Sequence, residues 1–313
     1  MGERITIDRD DSYVPTQKQM QDIDTNFTSV FAVNPSGGQD YYVDGNVTTS
    51  GTGLSWSTAF STIAAAIAAS DISIALAANR WWARRNRIFV VGDTLTETLV
   101  KFPTKCDVIG VGAYDTNPMP GIVGNHVPIG ESYSTRFINI DFVGVAAAAP
   151  ITTLGSTVGG CEFHGCIMDA AAGTITSGIL ATASMGLKVV GCDFRGTFAT
   201  SYISYGAGNA ARTAITGNRM IGTAAAGVIC DSGMTGTTGS HLMNDNVIYA
   251  TGLCVDDNAD LFFITDNKFF TDADPTATLA GAMDADSTKG ANNRVTGGAG
   301  TERNAPWPVE VIS

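Results

Sequence analysis

The chain has 313 residues, 44% of them apolar and only 15% charged, with 36 glycines and a formal net charge of −12. That length suits one elongated solenoid or two compact domains, and the acidic balance argues against a nucleic-acid binder, because neutralising phosphates needs a basic face. The apolar runs AAAIAAS and GVAAAAP are too short to cross a bilayer, and the charged start MGERITIDRDD does not read as a secretory signal.

Residues 1–38 are expected to form an N-terminal docking arm. RITIDRDDSYV reads as extended; Pro15 then opens a helix over PTQKQMQDIDTNFTSVF, stapled by Val14. Its apolar stripe is Met20, Ile23, Phe27 and Phe31, at spacings of three and four. The stripe either covers the end of the solenoid or docks onto a partner subunit or particle surface. Residues 39–90 carry a first strand with Tyr41, Tyr42 and Val43, a Gly/Thr/Ser loop, and a capping helix beginning near Ser55 or Ser57. Its stripe of Phe60, Ile63 and Ile67 would lie across the open first coil, where core and strand edge are otherwise bare.

DISIALAANRWWARRNR is expected to continue as helix, holding Arg80, Arg84, Arg85 and Arg87 beside Trp81 and Trp82. Interleaved aromatic and basic residues suit single-stranded nucleic acid or a sugar, but on an acidic chain a solvated or subunit-facing helix is the favoured reading. RIFVVGDTLTETLV and CDVIGVGAY read as strands of the first coils. Residues 91–300 form the repetitive body, and residues 301–313 an extended tail that Pro306 and Pro308 keep from being helical. The tail packs back on the last coil or adds to a neighbouring subunit.

Within the body one pattern returns: FINIDFVG, VGGCEFHGC, LKVVGCDFRG, TAITGNRMIG, HLMNDNVIYA, FFITDNKFFT and GANNRVTG. Aligned, Ile140, Cys161, Cys192, Asn218, Asn246, Asn267 and Asn293 fall in one column. Two residues on, Phe142, Phe163, Phe194, Met220, Ile248, Phe269 and Val295 form an apolar column. The step between members is about 25 residues, a solenoid period, and the longest interval falls between Cys161 and Cys192. Period-two alternation closed by glycine is strand and turn, not helix. Two or three short strands per coil is the arithmetic of a parallel β-helix, an all-β solenoid. Asn218, Asn246, Asn267 and Asn293 are expected to turn inward as an amide ladder, with Phe142, Phe163, Phe194 and Phe269 stacked in the core. Six cysteines without metal spacing read as buried thiols, and the three scattered histidines, His126, His164 and His241, suggest no metal site.

At these rungs the chain resembles the right-handed parallel β-helix, pectate-lyase-like superfamily. The resemblance spans roughly residues 40 to 300 and implies a single-stranded right-handed β-helix with its N-terminal arm and capping helix. It does not select an activity, since such folds serve as polysaccharide lyases and hydrolases, phage tailspikes and virion surface proteins. It implies threefold association, a homotrimer, as in phage β-helices.

Chemistry is sought at the position between the two columns, which points outward and holds Asp141, Glu162, Asp193, Arg219, Val247, Lys268 and Arg294. With coils about 4.8 Å apart, Asp141, Glu162 and Asp193 would make a carboxylate row. Such a row could hold a divalent cation or supply the paired acids of a glycosidase. Solvated charges on an outward face are the plainer reading. A second acidic row, Asp231, Asp256 and Asp284 with Asp257 and Asp286, is explained by turn carboxylates bonding their own backbone.

The expectation is therefore a non-enzymatic bacteriophage virion protein, a capsid decoration or cement protein at the particle surface, with no cofactor and no metal. Its partners would be copies of itself and the major capsid protein or a tail or portal component, and neither nucleic acid nor membrane. The alternative is a tailspike-type depolymerase or tail-fibre receptor-binding protein acting on a host surface glycan through Asp141, Glu162 and Asp193.

Overall fold

A computed structural model describes residues 37–77, 83–92, 94–112, 119–207, 212–234, 241–259, 261–271, 288–289 and 292–297. The docking-arm positions Val14, Met20, Ile23, Phe27 and Phe31, together with Arg80, Trp81, Trp82, Asp284, Asp286 and the tail, lie outside the described residues.

The described chain winds into a parallel β-solenoid. The first sheet has ten strands in chain order: Asp40–Asp44, Asn86–Val91, Cys106–Gly110, Arg136–Ile138, Glu162–His164, Lys188–Val190, Ala214–Thr216, His241–Asn244, Phe262–Thr265 and Thr288–Lys289. The second sheet runs from Thr94–Thr96 through Gly121–Val123, Asp141–Val143, Ile167–Ala181, Asp193–Tyr205, Arg219–Met220, Val247–Ala250 and Lys268–Thr271 to Arg294–Gly297. Thr152–Leu154, Thr223–Cys230 and Val255–Asp257 broaden it.

The tight corner between the sheets is written in the sequence. Asn139, Gly165, Gly191, Gly217, Asp245, Asp266 and Asn292 each stand one per coil with φ between 56° and 66°. Only glycine enters that left-handed region without cost, and Asn and Asp are its usual substitutes. The residue after each corner turns inward: Ile140, Cys166, Cys192, Asn218, Asn246, Asn267 and Asn293, all buried.

Register therefore corrects one rung of the sequence reading. Phe163 pairs with Phe137 and Val189 in the first sheet, stacks on Phe137 at 5.5 Å, and meets Phe142 edge-on across the lumen at 5.6 Å. Met168 holds the place expected for Phe163, between Phe142 and Phe194. The column residue is Cys166 instead of Cys161, so Ile140, Cys166, Cys192 and Asn218 follow one another at equal steps. The cause is that both strands of a coil carry the same apolar alternation, and a period of two cannot say which strand is being read.

The asparagine ladder forms as expected. Asn218 Nδ2 donates to Asn246 Oδ1 at 2.9 Å, Asn246 to Asn267 at 2.8 Å and Asn267 to Asn293 at 3.1 Å. Each Oδ1 also accepts the backbone N–H of the preceding rung, and each Nδ2 also donates to a first-sheet carbonyl, Val189, Ile215, Met243 or Ile264. Amides buried this deeply would destabilise the coil if unpaired. Towards the N-terminus thiols take over the donor role, Cys192 Sγ to the Phe163 carbonyl and Cys166 Sγ to that of Phe137. All six cysteines are free and buried.

The first coil is closed by helix α1, Ile63–Leu76, which turns Ile63, Ala66, Ile67, Ser70 and Ile74 inward. It begins later than expected, with Thr62 as its cap; Ser55 precedes only a single 3₁₀ turn, Trp56–Thr58. Between them Phe60 bridges Val43, with Phe60 N–H donating to Tyr42 O and Asp44 N–H to Phe60 O, so this stretch shields the outer edge of the first strand. The Glu97 carboxylate accepts from the Ile63 and Ala64 N–H groups at 2.7 and 3.1 Å, tying the helix start to the next coil. The helix ends at Leu76, and Arg87 lies in the strand Asn86–Val91, not in the expected helical continuation.

Candidate functional site

The outward column of the second sheet reads Asp141, Ile167, Asp193, Arg219, Val247, Lys268 and Arg294. Asp141 and Asp193 stand where the sequence places them, but with Ile167 between them. Glu162 is not in this row; it lies in the first sheet, paired with Arg136 and Lys188. Two residues along, a second column brings Val143, Asp169 and Arg195 side by side. Asp169, which the sequence reading misses, thus stands diagonally between Asp141 and Asp193. The clue is the recurrence of Gly-Cys one coil apart, at Gly165-Cys166 and Gly191-Cys192, which aligns Ile167-Met168-Asp169 with Asp193-Phe194-Arg195.

The three carboxylates differ in environment. Asp193 is 1% exposed; its Oδ2 accepts from Arg195 Nε at 2.8 Å and Arg219 Nη1 at 3.4 Å, and its Oδ1 is buried without a hydrogen bond. Asp141 Oδ1 is buried and unbonded as well. Burial, with Asp169 adding repulsion, pushes the Asp141 carboxyl up to about 6. Burial also raises Asp169, against the pull of Arg195. The arrangement offers one carboxyl protonated near pH 6 beside a second, with an arginine within reach, which is the charge pattern of an acid–base pair.

The outer face of the first sheet carries a different constellation. One column reads Asp40, Arg87, Asp107, Arg136, Glu162, Lys188, one residue per coil with the sign alternating at every step. Arg87 meets Asp40 through Nε and Nη2 at 2.8 and 2.5 Å, Arg136 grips Asp107 through Nε and Nη2 at 2.7 and 2.6 Å, and Lys188 reaches Glu162 at 2.7 Å. Arg85 adds a bond to Asp107 at 2.6 Å, and His164 Nε2 lies 2.9 Å from Glu162. Burial works to raise the Asp107 and Glu162 carboxyls, yet Arg136 and Arg85 for the first, and Lys188 and His164 for the second, hold them below the usual range. The parallel column two residues on is apolar for four coils: Tyr42, Phe89, Ile109 and Ile138, all half-buried. Tyr42 stacks on Phe89 at 5.7 Å and takes the Trp56 ring edge-on at 4.8 Å.

Among the described residues the second acidic row does not line up. Asp231 Oδ1 accepts from Gly233 N–H, the turn-backbone bond expected, whereas Asp256 Oδ1 accepts from the side-chain Nδ2 of Asn258. Asp257 is buried and accepts from Phe262 N–H, and Asp256 aligns with Ile229 instead of Asp231. Histidines 126 and 241 are buried core residues whose Nδ1 accepts from Leu99 and Thr213 N–H. Burial lowers both, His126 to about 4. Among the described residues no three His, Cys, Asp or Glu side chains are grouped to hold a metal ion. Comparison with known families, with curated proteins and with solved structures finds no match.

Proposed function

We propose that this chain is a non-enzymatic structural protein of a bacteriophage virion surface, a decoration protein whose solenoid is the projecting body and whose segment 1–38 is the attachment arm. The observation that carries the reading is the use of charge: Asp40, Asp107 and Glu162 are each engaged by a basic residue of the next coil, so the side chains available for chemistry on this face serve as clamps between coils. A stiff, internally closed rod suits a shell component, which acts by bridging subunits and stabilises the particle by the area it buries. The family resemblance of the rungs supplies the virion setting. Quantitative mass spectrometry of purified virions tests it: hundreds of copies per particle are expected, whereas a handful, or none, would overturn the shell assignment.

One observation favours a second reading, a glycan hydrolase. Asp141, raised to about 6 and unbonded at Oδ1, stands diagonally across from Asp169, and a carboxyl of raised pKa beside a second carboxyl is the pairing glycosidases use. Turnover of host capsular glycan by the purified chain, abolished by both Asp141→Asn and Asp169→Asn, would establish this reading and displace the first.

A further inference from the structure

We propose that the outer face of the first sheet binds a second copy of this chain, side by side and antiparallel, through a twofold axis between the strands Cys106–Gly110 and Arg136–Ile138. The argument rests on the order of charges. From Asp40 to Lys188 the column has six members whose signs alternate, three acidic and three basic. An alternating row of even length is its own complement when reversed. A twofold axis lying in the interface, parallel to the strands, reverses coil order while keeping each column opposite itself. It sets Asp107 against the partner's Arg136, Arg87 against the partner's Glu162, and Asp40 against the partner's Lys188.

The same operation lays the neighbouring column against itself. Ile109 meets the partner's Ile138 at the centre, Phe89 meets the partner's His164, and Tyr42 meets the partner's Val190. The alternative, two parallel solenoids, sets Asp107 against Asp107 and Arg136 against Arg136, which repulsion opposes. Self-complementarity of this kind is what an isologous contact requires. The column's six charges sum to zero on a chain whose net charge is −12, so two copies can meet here without the repulsion that the chain's overall charge would impose. Six coils at about 4.8 Å spacing give a stripe roughly 24 Å long, at the small end of specific interfaces, so association in the micromolar range is expected. A twofold contact of this form differs from the threefold one implied by the family resemblance.

Sedimentation equilibrium of the full chain between about 1 and 200 μM reads the outcome, a window that brackets micromolar association. A reversible shift from 32.5 kDa to twice that mass is expected. Asp40→Lys and Lys188→Glu should each weaken the dimer about tenfold or more, and the double variant should recover to within about threefold of the parent. Within one chain the two positions lie five coils apart, so recovery can arise only between copies. If Asp40→Lys fails to fold, Arg87→Glu paired with Glu162→Arg gives the same readout. A monomer throughout, a trimer, single variants without effect, or a double variant that stays weak would each overturn the proposal.

Discussion

Asn218 Oδ1 accepts the backbone N–H of Cys192 at 2.8 Å, one coil away, while the Cys192 thiol donates to the carbonyl of Phe163. The thiol stands where, one coil on, the Asn218 amide donates to Val189. Cys192→Asn should therefore lengthen the ladder by one rung, with the new Oδ1 placed to accept from Cys166 N–H. A gain of about 1 kcal/mol in denaturant unfolding is expected. A loss of that size would show that the lumen at Cys192 has no room for an amide.

Removing a rung from the middle should cost far more. Asn246→Ala deletes bonds to Asn267 Oδ1 and the Ile215 carbonyl, strands the Asn218 backbone N–H and takes one acceptor from Asn218 Nδ2. About 3–4 kcal/mol is expected, since several buried polar groups lose partners at once. Urea unfolding with an unchanged m value checks it.

Asp141 and His126 should give opposite pH dependences. The folded-state value of Asp141, about 6, lies above its unfolded value near 3.8. Between those limits the folded chain binds the extra proton, so Asp141 makes stability rise as pH falls through 6 and lowers it by up to about 3 kcal/mol above that. Asp141→Asn should remove this slope and raise the melting temperature at pH 8.

His126 works in the other direction. The unfolded imidazole takes a proton near pH 6.5 and the folded one only near 4, so its contribution is lost as pH falls from 6.5 to 4, by up to about 3 kcal/mol. His126→Gln retains an acceptor for Leu99 N–H and should flatten the loss in thermal melts over that interval. An unchanged slope would mean the ring is hydrated in the folded state.

A Cβ on Gly227 would overlap the carbonyl oxygen of Cys254 in the next coil and crowd Ile248. Gly227→Ala should therefore cost about 3 kcal/mol or more, unlike Gly165→Ala, where nothing lies within 4 Å and only the left-handed φ of 57° resists. Paired denaturation curves separate the two causes.

The solenoid is legible in the sequence because its constraints repeat. An inward amide every coil and a left-handed corner every coil leave Asn, Asp and Gly in fixed places, as at Gly217-Asn218, Asp245-Asn246 and Asp266-Asn267. What misleads is local symmetry: Phe163 and Phe194 both follow a polar residue and precede a glycine nearby, yet Gly165 is a corner and Gly196 is not. That ambiguity places Glu162 in the wrong row and hides Asp169. The alternating charges of the first sheet are hidden for another reason. Asp40, Arg87 and Asp107 lie far apart in the chain and at unequal intervals, and only the irregular first coils, where no motif repeats, bring them together.

The amide ladder also has a direction. Every Asn Nδ2 points its bond toward the C-terminal neighbour, from Asn218 to Asn246 to Asn267 to Asn293, so the bond dipoles add instead of cancelling and each polarises the next. Among the described residues the stack is thus a one-dimensional wire of aligned dipoles that starts from thiols at Cys166 and Cys192 and runs through amides as far as Asn293. Under an axial pull or slow deuterium exchange, opening should begin at one end and run, coil after coil, toward the middle.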